Sequence, residues 1–255
     1  MNQDQLGLFI LFKSTNEVNT FEGKETWYFD RYYDLKNINW YENLFSNIPS
    51  KYKCEISHNY LFSPFVADRI FRYNPNAKIL TILRDPVERS WSHYLEMKKL
   101  GVTKSSFEKA VSEYPVILFN SLYTSNLSMF KKRFQNNLLV FSFNDLKNNE
   151  EEFIRKIYSD LGISQKFCPK IGKQNVSKVN RSFMLSKFAR FVLTNLREMG
   201  YVKFASRIKT NNFLRNMMFK SNNEKNKIPE SVKTQLEKYF SKEKYQLEKE
   251  YDIKF

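Results

Sequence analysis

Apolar and polar positions along this chain change period several times, and each change marks an element. Lys78–Leu83 is a short apolar, β-branched run of strand length. It stops at Arg84, Asp85 and Pro86, after which helix-forming residues take over. Asp85 can accept from the first amides as N-cap, Pro86 suits the first helical position, and Glu88 falls where a capping-box acid sits. The pattern therefore predicts a strand, a tight turn and a helix that begins at Pro86 and closes at Gly101.

The same alternation runs through much of the chain. Leu6–Phe12 (LGLFILF) is either a buried strand or the tail of a core helix, and its length does not decide. Residues 36–48 bring Trp40, Tyr41, Leu44 and Phe45 to helical spacing. Tyr52–Ile56 reads as a strand, Ser63–Tyr73 as an amphipathic helix, and Ser105–Ser112 as a short helix before Pro115. Residues 121–146 give an amphipathic helix, a polar turn at Gln135–Asn137 and a buried strand at Leu138–Phe143. Glu150–Leu161 then forms a helix that ends at Gly162. Residues 170–182 (KIGKQNVSKVNRS) lack periodicity and read as a loop. Pro229–Lys249 is a final amphipathic helix whose Glu–Lys pairs read as a solvated face. Strands alternating with helices predict an α/β fold, a parallel sheet flanked by helices.

Composition narrows the class. The 255 residues are 42% apolar and 16% aromatic, ample for a core, which excludes disorder. No repeat, low-complexity tract or Gly-rich linker divides the chain, so residues 1–255 are read as one domain, a core over about 17–182 and a basic helical appendage over about 183–255. Cys54 and Cys168, with only His58 and His93 besides, make neither a disulfide framework nor a metal set, and a reducing cytoplasm is expected. The run Leu6–Phe12 is too short to span a bilayer, and the residues before it lack the charge pattern of a signal peptide.

Charge adds a partner class without choosing one. The net charge is +15, and residues 166–227 hold 15 Lys and Arg against only Glu198 and Glu224, a local +13. Such a segment suits an anionic nucleotide, an acidic glycan, a membrane surface or nucleic acid. From Phe183 to Lys220 aromatic and basic residues alternate. These helices either pack on the domain, the favoured reading, or lie on an anionic membrane.

The turn at residues 84–86 carries chemistry of its own. Amides and the positive dipole end at the carboxyl edge of a strand favour an anion. Arg84 adds a forked cation, and Ser92, two turns into the helix, can donate a hydroxyl. A phosphate is expected there. His93, beside Ser92, points to a different helix face and reads as packing.

Those residues carry a family resemblance. Arg84 followed by Ser92 within ILRDPVERSWSHY resembles the 3′-phosphate-binding segment of sulfotransferases, which use 3′-phosphoadenosine 5′-phosphosulfate. Residues 23–30, GKETWYFD, are similar to the KE-x-x-FF segment of glycan sulfotransferases, whose Glu is the base toward the acceptor hydroxyl. The resemblance implies Glu25 as base, with Lys24 holding the anionic donor or product. The chemistry suits a carboxylate, since an alcohol must lose its proton as it attacks sulfur, and aromatic walls such as Trp27 and Phe29 raise the pKa of a Glu between them.

The loop after Tyr52–Ile56 resembles the family's E-K-[ST]-P-x-Y segment through Glu55, Ser57 and Tyr60, and departs from it at Ile56 and His58. In the cytosolic small-molecule branch the corresponding strand end reads K-T-H and the His is the base, so His58 is the second base candidate. FNDL, with Asn144 in place of Glu, is similar to the family's "EDL" tail. A basic loop at the place of residues 170–182 closes over the nucleotide in the family, which implies Lys173, Lys178 and Arg181 as nucleotide contacts.

The family thus implies a P-loop nucleotide-hydrolase-like sheet and sulfuryl transfer to a hydroxyl of a glycan or glycolipid, with no metal and no nucleic-acid partner. One motif is missing. The family's first strand runs into a glycine-rich loop, G-x-x-[KR]-[SA]-G-T-T, around the 5′-phosphosulfate, whereas here only Gly7 lies upstream of Gly23. The fold is accordingly expected to be truncated at its first strand, with weak binding and little or no turnover. The alternative is a non-catalytic binder of nucleotide, acidic glycan or nucleic acid.

Overall fold

A computed structural model describes residues 11–21, 25–45, 49–164, 178–180, 183–201, 208, 219–221 and 227–255. In chain order the elements are β1 (Val18–Thr20), α1 (Ile38–Glu42), β2 (Tyr52–Cys54), α2 (Val66–Tyr73), β3 (Ile79–Leu83), α3 (Pro86–Lys99), α4 (Phe107–Glu113), α5 (Val116–Phe119), α6 (Tyr123–Phe134), β4 (Leu138–Ser142), α7 (Phe143–Asn148), α8 (Glu150–Leu161), β5 (Lys178–Asn180), α9 (Phe183–Glu198), β6 (Phe219–Ser221) and α10 (Glu230–Tyr251). A π-helical turn at Tyr28–Tyr32 and 3₁₀ turns at Tyr60–Phe62 and Gln135–Asn137 complete the set. No described helix is long and apolar enough to cross a membrane.

The described residues fall into two compact units, one within Met1–Pro86, Leu122–Lys173 and Lys238–Phe255, the other within Val87–Ser121 and Gln174–Glu237. In the first, β1 pairs parallel with β2, Val18 opposite Tyr52, and β3 pairs parallel with β4, Ile79 opposite Leu138. Helices cover these strands, as the alternation predicts. Leu11, Phe12, Val18, Phe141 and the α8 residues Phe153, Ile154, Ile157, Tyr158 and Leu161 form one core, and Leu80, Ile82, Tyr52 and Cys54 pack against it. Residues 11–13 are helical, which decides for the end of Leu6–Phe12 between the two readings of that run.

Local signals set several boundaries where expected. α3 begins at Pro86, and α8 ends at Leu161 with Gly162 at φ 65°, the left-handed cap that glycine adopts without a Cβ penalty. Asn149 caps α8 by accepting from the Glu152 amide at 3.2 Å.

Several elements differ from the sequence reading: β2 ends at Cys54, α2 begins at Val66, and the helical spacing of residues 36–48 gives a helix only over Ile38–Glu42. β4 stops at Ser142, because its hydroxyl accepts from the Asn144 amide at 3.1 Å and starts α7 at Phe143. The segment 170–182, read as a loop, contains β5, paired antiparallel with β6 through Val179 opposite Lys220. β1 was not expected: VNT is short and polar at its centre, and it is a strand because β2 pairs with it.

In the second unit, Ser90 of α3 is fully buried and its hydroxyl lies 2.8 Å from that of Ser121. Tyr94 donates to the Ser105 carbonyl at 2.9 Å, and its ring meets Trp91 and Phe107.

Candidate active site

Glu25 follows β1 and His58 follows β2, so both stand beyond the carboxyl ends of paired parallel strands, where open α/β sheets place their ligands. The two residues that sequence reading offered as alternative bases are in contact: His58 Nδ1 pairs with Glu25 Oε1. Their exposures differ, 4% for the Glu25 side chain and 42% for that of His58. The imidazole is thus the member that solvent and an acceptor can reach, with the carboxylate behind it.

A second carboxylate fixes the loop that carries Glu25. Glu55 Oε1 accepts from the hydroxyls of Thr26 at 2.6 Å and Ser57 at 2.7 Å. Thr26, fully buried, also accepts from the Tyr28 amide at 3.1 Å, and Tyr60 accepts from the Phe29 amide at 3.1 Å. One carboxylate and two hydroxyl side chains therefore tie the segment after β1 to the segment after β2.

The motif residues Glu55, Ser57 and Tyr60 brace the loops that carry Glu25 and His58. Thr26 was missed, although its position directly after Glu25 and its hydroxyl were visible in the sequence.

The backbone here takes uncommon conformations. Trp27 lies in the left-handed region, φ 55°, and the next five residues form the π-helical turn. Such features cluster at functional sites because surrounding contacts must hold them. Arg69 of α2 supplies some of those contacts, donating to the carbonyls of Phe29 at 3.2 Å and Asp30 at 2.8 Å. Behind the turn Tyr28 stacks on Tyr41, Phe29 and Tyr73 each meet Tyr41 edge to face, and Phe29 lies tilted against Tyr73.

Burial, then the Glu55 charge, pushes the phenols of Tyr41 and Tyr60 well above their ordinary value, so both stay protonated donors or acceptors rather than bases.

Arg84 follows β3 directly with its guanidinium 5.2 Å over the Phe143 ring, and its carbonyl accepts from the Tyr123 hydroxyl at 3.1 Å. Ser92 is an exposed residue of α3. Asp85 Oδ2 accepts from Lys244 of α10 at 2.8 Å, and the neighbouring Glu243 accepts from the Thr124 amide at 2.7 Å and hydroxyl at 2.8 Å. Glu243 is 7% exposed, which corrects the reading of the last helix as a solvated face: tertiary packing draws two of its charges inward. Lys24, Lys173 and Arg181 lie outside the described residues, and Lys178 belongs to β5. Among the described residues no group of three or more His, Cys, Asp or Glu could hold a metal ion.

Comparison with known proteins decides the family. A model of the Sulfotransferase family matches residues 16–166, more than half of the chain. The chain belongs to the sulfotransferase family. It is 38% identical over 100 residues to the membrane-associated sulfotransferase kil1 of Dictyostelium discoideum, a match that covers 35% of this chain and 21% of that protein. It is 24% identical over 187 residues to heparan sulfate glucosamine 3-O-sulfotransferase 5 of Mus musculus, covering 69% of this chain and 52% of that protein. The chain thus spans about a fifth of the first relative's length and about half of the second's. The crystal structure of a sulfotransferase from Alicyclobacillus acidocaldarius superposes with a TM-score of 0.57 at 19% identity, over 78% of this chain and 92% of that one. That likeness establishes an α/β sulfotransferase fold with parallel strands flanked by helices.

Proposed function

We propose that the chain transfers a sulfuryl group from 3′-phosphoadenosine 5′-phosphosulfate to a hydroxyl of a glycan or glycolipid. The observation that carries this reading is the Glu25–His58 pair at the carboxyl ends of β1 and β2, one member buried and the other facing outward. The family and the heparan sulfate relative support the donor and the glycan class.

The chemistry requires an acceptor oxygen to attack sulfur, the bond from sulfur to the 5′-phosphate oxygen to break, and the acceptor proton to leave as the new bond forms. His58 Nε2 takes that proton, while Glu25 holds Nδ1–H and stabilises the imidazolium. Adenosine 3′,5′-bisphosphate departs as the anion. Arg84 at the end of β3 binds its 3′-phosphate by a charged fork, and Ser92 joins it by sequence spacing alone. Lys24, Lys173, Lys178 and Arg181 are assigned to the donor by the same sequence reasoning.

The 255-residue sequence holds no glycine-rich loop for the 5′-phosphosulfate, so turnover by this chain alone is slow: losing even one preorganised donor to developing charge costs about 10² to 10³ in rate. The same gap favours a second reading, a non-catalytic binder of nucleotide or acidic glycan. A cytoplasmic site is proposed from the two-cysteine composition, with the basic segment 183–220 available for peripheral contact with a membrane.

Single-turnover assays with donor labelled in the sulfuryl group and a heparan-type acceptor separate the readings. Slow transfer of label to acceptor is expected. Binding of adenosine 3′,5′-bisphosphate with no transfer at any enzyme concentration would leave only the binder, and rapid transfer would overturn the argument from the missing loop.

A further inference from the structure

α10 buries a stripe, Val232, Leu236, Phe240 and Leu247, at intervals that keep one helix face inward. Glu243 stands in that stripe, three residues after Phe240 and four before Leu247. An apolar side chain at 243 would fill the same place without the desolvation cost of a carboxylate. Instead Glu243 accepts from the Thr124 amide, at the start of α6, and from the Thr124 hydroxyl. The adjacent Lys244 reaches Asp85, and both side chains of this ion pair are largely enclosed, 20% and 13% exposed.

The same turn is held a second time, because Tyr123, the residue before Thr124, donates to the Arg84 carbonyl. Leu83, Tyr123, Leu127, Leu247 and Ile253 share one core cluster beneath these contacts. Thus the backbone of Arg84 is fixed from α6, the carboxylate of Asp85 from α10, and α6 itself from α10 through Glu243.

A mostly enclosed ion pair adds little net stability, while the loss of one partner strands the other charge. What such a pair supplies is a fixed position, and the position fixed here is that of the turn bearing Arg84. α10 lies beyond residues 16–166, so the family match does not bear on it.

We propose that Lys244 and Glu243 are positioning residues for the nucleotide: they lock the Arg84–Asp85 turn so that the Arg84 fork meets the 3′-phosphate without reordering. This rests on the assignment of Arg84 to that phosphate. A fork held in place loses less entropy on binding than one that must be ordered by the ligand. The lock therefore affects ligands with a 3′-phosphate and spares those without one.

The test is calorimetric titration of the full chain with adenosine 3′,5′-bisphosphate and with adenosine 5′-monophosphate. Arg84→Ala is expected to weaken the bisphosphate by about 10- to 150-fold, the range of a charged hydrogen bond, and barely affect the monophosphate. Lys244→Met, which keeps the stem and removes the charge, is expected to weaken the bisphosphate about 5- to 10-fold with the same selectivity, and Lys244→Arg to restore most of it. Asp85→Asn approaches the pair from its other side and reads out should Lys244→Met fail to fold. Combining the two is expected to cost no more than the worse single change, since they break one contact. Selective loss in Arg84→Ala with unchanged bisphosphate affinity in folded Lys244→Met and Asp85→Asn overturns the lock alone. Equal losses for both nucleotides in Arg84→Ala remove the 3′-phosphate assignment, and the lock with it.

Discussion

Two turns in the same unit solve the same problem differently. The segment around Glu25 and His58 is braced from residues 26 to 69, by hydroxyls on one carboxylate and by Arg69 on two carbonyls. The turn at Arg84 and Asp85 is braced from residues 123 and 244, with the second brace an enclosed ion pair. The first device draws on partners within about 40 positions of each other and divides its donors between neutral hydroxyls and the Arg69 guanidinium. The second adds to a neutral hydroxyl of similar range a charged partner, Lys244, from a helix 159 positions along the chain. Neutral donors around a carboxylate can be removed one at a time, whereas removing half of an enclosed ion pair strands a charge.

The largest effect that tests this contrast lies in the chemistry. His58→Ala and Glu25→Gln are each expected to lower the single-turnover transfer rate by about two to four orders of magnitude, with nucleotide affinity unchanged. Because the pair acts as one unit, the double variant is expected to be no slower than His58→Ala. Rapid-quench measurement of labelled acceptor checks both points. Effects that multiply would separate the two residues into independent roles, and near-normal rates in both variants would remove the base assignment.

A smaller effect isolates the brace. Thr26→Val keeps the shape and deletes the hydroxyl that donates to Glu55. A fully buried donor to a charged acceptor is worth about 1.5–3 kcal/mol, so urea unfolding is expected to show a loss in that range. Ser57→Ala, at a less buried position, is expected to cost less. If Thr26→Val left stability unchanged, Glu55 would not be the anchor of the loop.

The two turns also differ in how far they could be read from sequence. The boundaries of β3, α3 and α8 were legible because their signals are local: an apolar run, a proline at the first helical position, a glycine with positive φ after the last. The base candidates were legible through motif spacing, but spacing could not show that Glu25 and His58 meet, since that contact needs β1 paired with β2. β1 itself was hidden, being three residues with Asn19 at the centre.

The brace from α10 was hidden for another reason. Glu243 and Lys244 look like the exposed Glu and Lys residues around them, and only tertiary contact distinguishes the pair. One signal was present: Glu243 falls on the apolar stripe between Phe240 and Leu247, where a solvated glutamate would not be placed.

The smallest expected effect reads the charge of Glu55 without touching Glu25 or His58. Cys54 ends β2 beside Glu55, and its thiol is pushed up to about 12, first by burial and then by that carboxylate. The thiolate is the nucleophile in alkylation, so a thiol pushed up from 9.0 to about 12 labels much more slowly at pH 8 than in the unfolded chain. In a Cys168→Ser background only Cys54 reports, and timed iodoacetamide labelling followed by mass spectrometry measures it. Glu55→Gln keeps an acceptor for Thr26 and removes the charge, so the thiol is expected to fall partway and label several-fold faster, while burial keeps it well below the unfolded rate. The sign for stability follows from the same shift. A thiol raised on folding favours the folded state below its ordinary value of 9.0, and that contribution is lost as pH rises from about 9 toward 12. The unfolding midpoint is therefore expected to drop across that window less steeply in Cys54→Ser than in the parent. Identical labelling rates in the parent and Glu55→Gln would mean that the carboxylate bracing Thr26 and Ser57 exerts no field on the strand end beside it.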